Sequence, residues 1–206
     1  MLTLSVENGT IFHYTDSGPI ENVEYSTLVL VHGHRFHTGR IFNYATHPLS
    51  SYAIRLPGVF KRIVPLASSH SMRVICLSRR EYQGSTPYST DERKAINHGS
   101  DAERANFLKD EGILIALFVD GLIRTLLLPK KGGVIVAGWS FGNIFTLAMR
   151  ASIGDLPDDT KQRLKAYTRG FIILGLSDSV DPSNTNLSYV FILRVCRFTF
   201  PSSRRS

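Results

Sequence analysis

The sequence predicts an α/β fold: a mostly parallel sheet flanked by helices and entered through an N-terminal β-hairpin. Three observations carry this. Apolar runs of strand length (Thr27–Val31, Met72–Leu77, Val134–Ala137 and Phe171–Leu174) alternate with helical patterns, the order expected of βαβ units. These runs are apolar almost throughout instead of alternating with polar residues, as strands covered on both faces are. The amino-terminal residues differ. Leu2–Val6 and Thr10–Tyr14 flank Glu7-Asn8-Gly9, and Asn-Gly between two strand-like runs is a hairpin signal.

The elements between follow from local chemistry. Asp16-Ser17-Gly18-Pro19 breaks the chain after the hairpin. Ile41–Leu66 reads as a largely helical, amphipathic connection punctuated by Pro48, Pro57 and Pro65. Ser78–Pro87 is a polar turn at the carboxyl end of a strand, where open α/β sheets build their sites. Most of its charged residues are expected to be solvated. Ser100-Asp-Ala-Glu103 has the form of a capping box and opens a helix that runs to Leu128, where Pro129 stops it. Asp120 and Arg124 lie four apart and can pair on that helix. Thr160–Tyr167 reads as a short helix.

Composition limits the function. A chain of 206 residues, 43% hydrophobic, suits one domain with a sizeable core. The net charge is +7 and the isoelectric point about 9.6, yet no Lys/Arg block exceeds two residues and no nucleic-acid motif is present. A basic solvated surface is expected, with no nucleic-acid partner. Cys76 and Cys196 make neither a disulfide framework nor a metal spacing. No charged-then-apolar leader opens the chain, and Gly112–Leu128 is short for a membrane span and carries Asp120 and Arg124. A cytoplasmic protein without a membrane span is the expectation.

The chemistry concentrates at Val134–Asn143. A buried strand runs into Gly138-Trp139-Ser140-Phe141-Gly142 and then into a helical run, Ile144–Ala151. Strand, G-x-S-x-G, helix is the context of a nucleophile elbow, in which a sharp turn presents the serine and the flanking glycines let strand and helix approach. The helix N-terminus beside Ser140 would stabilise an oxyanion. A second loop, His32-Gly33-His34, leaves the apolar run Thr27–Val31. Its Gly33 would let backbone come close, making the N–H of His34 the partner of the N–H of Phe141 in holding the oxyanion. His32, His34 and His37 fall within six residues, but no carboxylate or cysteine joins them at a familiar spacing. No metal and no cofactor are expected.

With the elbow serine and the His-Gly loop, the chain resembles the α/β-hydrolase fold family. The segments Val31–His34, Arg79–Pro87 and Gly138–Asn143 look like those of its fungal members, and the resemblance covers residues 1–182. It implies a serine hydrolase acting on an ester, amide, epoxide-like or related small substrate, with Ser140 as nucleophile. The family orders its triad serine, acid, histidine. Here all seven histidines (13, 32, 34, 37, 47, 70 and 98) precede Ser140. The expected general base is therefore missing and the chain itself is open to being inactive; His32 or His34 could substitute, but their loop position suits oxyanion and packing roles better. Asp178 and Asp181, after the last apolar strand, are the acid candidates, with a turn-forming role as the alternative. Residues 183–206 form an atypical basic tail without Asp or Glu, carrying four arginines and the apolar run Tyr189–Val195. The expectation is an N-terminal part of a hydrolase domain, truncated after its sixth strand, with the tail either a truncation product or an added strand. An incomplete sheet would leave an edge open to association. A non-catalytic scaffold that binds a small ligand or a protein partner is the second reading.

Overall fold

The computed structural model describes residues 2–21, 24–33, 60, 63–176 and the backbone of 191–197. Its framework is one mixed sheet of seven strands: β1 (Leu2–Ser5), β2 (Ile11–Asp16), β3 (Ser26–Val31), β4 (Met72–Ser78), β5 (Val134–Trp139), β6 (Thr168–Leu176) and β7 (Phe191–Arg197). The spatial order is β1-β2-β4-β3-β5-β6-β7. The central four, β4-β3-β5-β6, are parallel, while the β1–β2 hairpin and β7 add antiparallel strands at the two edges. The expected α/β class, its parallel centre and its amino-terminal hairpin are all present. In the hairpin turn, Gly9 takes a φ of 82° and Val6 N–H donates to the Thr10 carbonyl at 2.9 Å.

The unbroken apolar strand runs are explained by two separate cores. Val29, Val31, Ile75, Leu77, Val134, Val136 and Phe171 face one side. Leu28, Leu30, Val74, Cys76 and Ala137 face the other, joined by Ile135 and Ile172. Successive strand residues point to opposite faces, so a strand covered on both sides needs apolar residues at every position. Burial also pushes the Cys76 thiol up to about 12, which leaves it a packing group without nucleophilic character.

The larger core is closed by α2 (Asp101–Thr125) and α3 (Gly142–Ser152). Leu114, Ile115 and Phe118 of α2 share it with Phe145 and Met149 of α3, and these contacts fix the direction in which α3 leaves the sheet. The capping box at Ser100 and Glu103 is formed in both directions. The helix stops at Thr125, three residues before Leu128, because Leu127 turns to a φ of 49°. A second capping box, Ser89 with Glu92, opens α1 (Thr90–His98). Apolar periodicity does not announce this helix, since none of its residues is buried. The remaining helix, α4 (Asp158–Tyr167), leads directly into β6.

Two expectations change. Most of Ile41–Leu66 lies outside the described residues, and its described end forms a 3-10 turn at Val64–Leu66 with Pro65 in the first turn. A second such turn, Ser68–His70, follows it. In the basic tail, 191–197 pairs with β6 along its length, so β6 does not form the sheet edge.

The Asp120–Arg124 pair is present and has a third member. Asp120, 1% exposed, accepts from Arg124 Nε at 2.9 Å and from Arg163 Nε of α4 at 2.6 Å. This carboxylate thereby ties α4 to α2. Removing either arginine leaves it one partner; removing both leaves a buried charge unpaired, a loss of about 3–5 kcal/mol. Chemical denaturation of Arg124→Ala, Arg163→Ala and the double variant is expected to show the double loss exceeding the sum of the singles.

Candidate active site

The parallel register brings the carboxyl ends of three strands together. Val31 of β3 pairs with Leu77 of β4 on one side and Gly138 of β5 on the other. Everything that follows these residues therefore emerges at one end of the sheet: His32-Gly33, Ser78–Arg80 and Trp139-Ser140.

Ser140 occupies the junction between β5 and α3 and is exposed, with a φ of 53°. Left-handed backbone is disfavoured for a residue with a Cβ, and it persists only where the surroundings enforce it. Four hydrogen bonds do so here. Ser140 N–H donates to the Leu174 carbonyl of β6 at 2.8 Å. Asn143 donates from Nδ2 to the same carbonyl at 2.9 Å, and its Oδ1 accepts from Leu174 N–H at 3.3 Å. Asn143 N–H then closes the turn on the Ser140 carbonyl at 3.0 Å. The first residue of α3, Gly142, lies directly on the Val31 carbonyl, with no room for a side chain. Gly138 is likewise confined, a Cβ there standing 2.6 Å from Thr146 Oγ1.

Gly33 sits against this turn. A Cβ on it would stand 3.0 Å from Ser140 Cβ and 3.0 Å from the Trp139 carbonyl oxygen. The two glycine-bearing loops, far apart in sequence, thus touch through backbone. Phe141 opens α3 with its ring 5.5 Å from that of Phe145. His34, Asp178 and Asp181 lie outside the described residues.

His32 is 1% exposed and both its ring nitrogens engage backbone. Nδ1 lies 2.8 Å from the Gly33 carbonyl oxygen, and Nε2 lies 3.2 Å from Arg79 N–H. One tautomer satisfies both contacts: Nδ1–H donates and Nε2 accepts. A ring so committed holds the loop and is not placed to take a proton from Ser140. The other described histidines are no closer to the task. His13 contacts Ser78 Oγ at 3.3 Å on a strand two removed from β3, His70 precedes the amino end of β4, and His98 ends α1 exposed. Among the described residues, no histidine or carboxylate is hydrogen-bonded to Ser140.

The polar turn after β4 departs from the expectation of a solvated loop. Arg79 and Arg80 are 3% and 6% exposed. Arg80 is neutralised by Glu92, at 2.5 and 2.8 Å, and by Glu111 at 2.9 Å. The hydrogen bonds from Arg80 hold the Glu92 carboxyl down at about 2, whereas burial pushes that of Glu111 up. Arg79 has no carboxylate at ion-pair distance among the described residues. Its Nε donates to the His32 carbonyl at 2.9 Å, and its Nη2 to the Gly33 carbonyl at 3.1 Å. Its guanidinium lies over the Phe145 ring at 4.4 Å and the Phe141 ring at 5.5 Å. Sequence spacing gave no sign of this placement. Only the position of the loop at a strand's carboxyl end pointed to it.

A shallow cavity of about 260 Å³ between Ser17, Gly18, Val64 and Met72 lies at the opposite end of the parallel strands, beside the start of β4. No grouping of three or more His, Cys, Asp or Glu side chains fit for a metal occurs among the described residues. No described helix is long and apolar enough to cross a membrane.

No protein-family model matches the sequence, and no curated protein matches it. Among solved structures the chain is similar to an epoxide hydrolase from Vigna radiata (13% identity, TM-score 0.45), covering 84% of this chain and 37% of that one. It is also similar to an esterase from Exiguobacterium antarcticum (13% identity, TM-score 0.47, 83% of this chain and 43% of that). A predicted CIB-like hydrolase from Thermoplasma acidophilum gives 12% identity and a TM-score of 0.43 over 87% of this chain and 65% of that. The chain spans well under half the length of the first two. Identity this low transfers no residue from those proteins to this chain.

The strain at Ser140 has a measurable consequence. Glycine tolerates φ near 53° at no steric cost, so Ser140→Gly is expected to raise stability by about 1 kcal/mol, with Ser140→Ala near neutral. Denaturation midpoints of the two variants against the wild-type chain check this.

Proposed function

We propose that Ser140 is the nucleophile of a serine hydrolase of the α/β-hydrolase family, acting on an ester or related small substrate through an acyl-enzyme. The observation that carries the reading is the left-handed backbone of Ser140 at a strand-to-helix turn, with the Gly33 backbone packed on it. An ordinary turn has no reason to keep a strained serine exposed at the meeting point of three strand ends.

In this reading the Ser140 Oγ bonds to the substrate carbonyl carbon, and the resulting oxyanion accepts from the N–H groups of Phe141 and His34. Collapse breaks the bond to the leaving alcohol, which departs with the proton taken from the serine. Water then releases the acid and regenerates the hydroxyl. The general base is assigned outside His13, His32, His70 and His98, on the geometry above. Asp178 and Asp181 remain the acid candidates. Residues 1–182 form the hydrolase portion, and 183–206 a basic tail whose strand β7 extends the sheet.

The second reading is a non-catalytic scaffold that kept the elbow and binds a small ligand or protein partner. It is favoured by the lack, among the described residues, of any base hydrogen-bonded to Ser140, since an unassisted serine hydroxyl is a weak nucleophile.

Intact-mass analysis after treatment with a fluorophosphonate probe decides between them. One adduct on the wild-type chain and none on Ser140→Ala is the expected result. A folded wild-type chain that takes no adduct overturns the hydrolase reading and leaves the scaffold.

A further inference from the structure

We propose that Arg79 is the positioning residue for the oxyanion side of the Ser140 site, an inference that rests on the hydrolase reading. Burying a guanidinium without a carboxylate costs several kcal/mol unless its donors are satisfied, and those of Arg79 are spent in one place. Nε holds the His32 carbonyl and Nη2 the Gly33 carbonyl, the two consecutive peptide oxygens at the end of β3. His32 Nδ1 at 2.8 Å and Tyr82 Oη at 3.5 Å approach the same Gly33 oxygen. Tyr82 itself accepts from Arg79 Nη2 at 3.4 Å and meets the His32 ring edge-on at 4.3 Å between centroids.

Two consequences follow from peptide geometry. A trans peptide carries its N–H opposite its C=O, so the His32 carbonyl held against Arg79 turns the Gly33 N–H of the same peptide away from it. A carbonyl that accepts from a cation is also polarised, and its peptide N–H becomes a stronger donor. The cation therefore both aims and strengthens the Gly33 N–H of the loop that packs on Ser140. Its face, meanwhile, rests on Phe145 and Phe141 of the elbow helix. Arg79 thus spans the loop and the elbow and fixes their spacing. Lysine carries the charge but not the planar fork that reaches two carbonyls together.

The test compares wild-type, Arg79→Lys, Arg79→Gln and Tyr82→Phe chains in two measurements, each corrected for the folded fraction from thermal unfolding. The first is the rate constant for phosphonylation of Ser140 by a fluorophosphonate. In that step Oγ–P forms, P–F breaks with loss of fluoride, the hydroxyl proton passes to solvent or base, and the phosphonyl oxygen takes the oxyanion position. The second is the amide ¹H shift of Gly33 in ¹⁵N-labelled protein. Arg79→Gln is expected to lower the rate of the folded chain by about tenfold, a part of the roughly 10²–10³-fold that removing an oxyanion donor outright costs. It is also expected to move the Gly33 amide upfield, with Arg79→Lys between it and wild type and Tyr82→Phe the mildest. A folded Arg79→Gln chain labelled at the wild-type rate overturns the proposal, because a purely structural arginine affects only the folded fraction. Should wild type itself take no label, the hydrolase reading fails separately. The Gly33 amide then decides alone: unchanged in Arg79→Gln it overturns the role of Arg79 in setting the loop, and shifted it upholds that role.

Discussion

The arrangement depends on one steric constraint, the backbone-to-backbone approach of the elbow and the end of β3. Gly142 lies on the Val31 carbonyl and Gly33 lies on Ser140. A Cβ on Gly142 would overlap the Val31 oxygen and cannot fit, and one on Gly33 would crowd Ser140 and Trp139 at 3.0 Å. The parallel register of β3 and β5 puts these residues level, and α3 is directed by the packing of Phe145 and Met149 against α2. Given both, the residue between strand and helix has no right-handed option and takes a φ of 53°. The exposed serine is thus an outcome of core packing. Its strain is met by the double link of Asn143 to Leu174 and by the Ser140 N–H bond to the same carbonyl.

The second organising feature is how buried cations are compensated on β4. Three arginines, at 73, 79 and 80, are nearly fully buried, and each is satisfied differently. Arg73 meets Asp16 in a two-pronged pair at 2.9 and 2.5 Å, which staples the hairpin to β4. Arg80 meets Glu92 and Glu111 and anchors α1 and α2 behind the turn. Among the described residues, Arg79 meets carbonyls, a hydroxyl and aromatic faces, with no carboxylate at ion-pair distance. Neutralised pairs serve as scaffolding, since their fields largely cancel beyond the contact. A cation held by dipoles, with no carboxylate at ion-pair distance among the described residues, has its field less fully cancelled than a paired one. That asymmetry is what sets Arg79 apart from its neighbour in sequence.

Much of the fold was legible because its determinants are local or periodic. Both-face burial appears as unbroken apolar runs at Thr27–Val31 and Val134–Ala137, the hairpin as Asn8-Gly9, and the start of α2 as Ser100 with Glu103. The end of α2 was misjudged because Leu126–Leu128 is apolar for a turn as well as for a helix. Helix α1 escaped because it buries nothing, although Ser89 and Glu92 carried its start signal. At the site, the elbow was readable from glycine spacing within one segment. The fate of Arg79 and Arg80 was not. Solvation is the default for a charged turn, and the three-dimensional meeting of this turn with the end of β3 and with α1, α2 and α3 supplies the carbonyls, carboxylates and rings that replace water. The commitment of His32 to backbone was hidden for the same reason: its partners are a neighbouring carbonyl and an N–H from another strand.

Hydrolysis by a serine divides into a charge-stabilising half and a proton-transfer half, and under the proposed function the described residues would supply them unequally. In that reading the elbow, the helix N-terminus and the loop held by Arg79 would all act on developing negative charge. Each oxyanion donor is worth about 2.7–4 kcal/mol when preorganised. None of these groups moves a proton. Sites stripped of their triad but keeping such donors still accelerate reactions by roughly 10³–10⁴-fold over water, so the charge-stabilising half has value alone. It acts most on substrates whose leaving group departs without protonation, such as activated esters and phosphonyl fluorides, because these ask least of a base. Under the proposed function, reactivity toward such substrates would measure the half of the chemistry placed where β3, β4 and β5 end, and a plain alkyl ester would measure the other half.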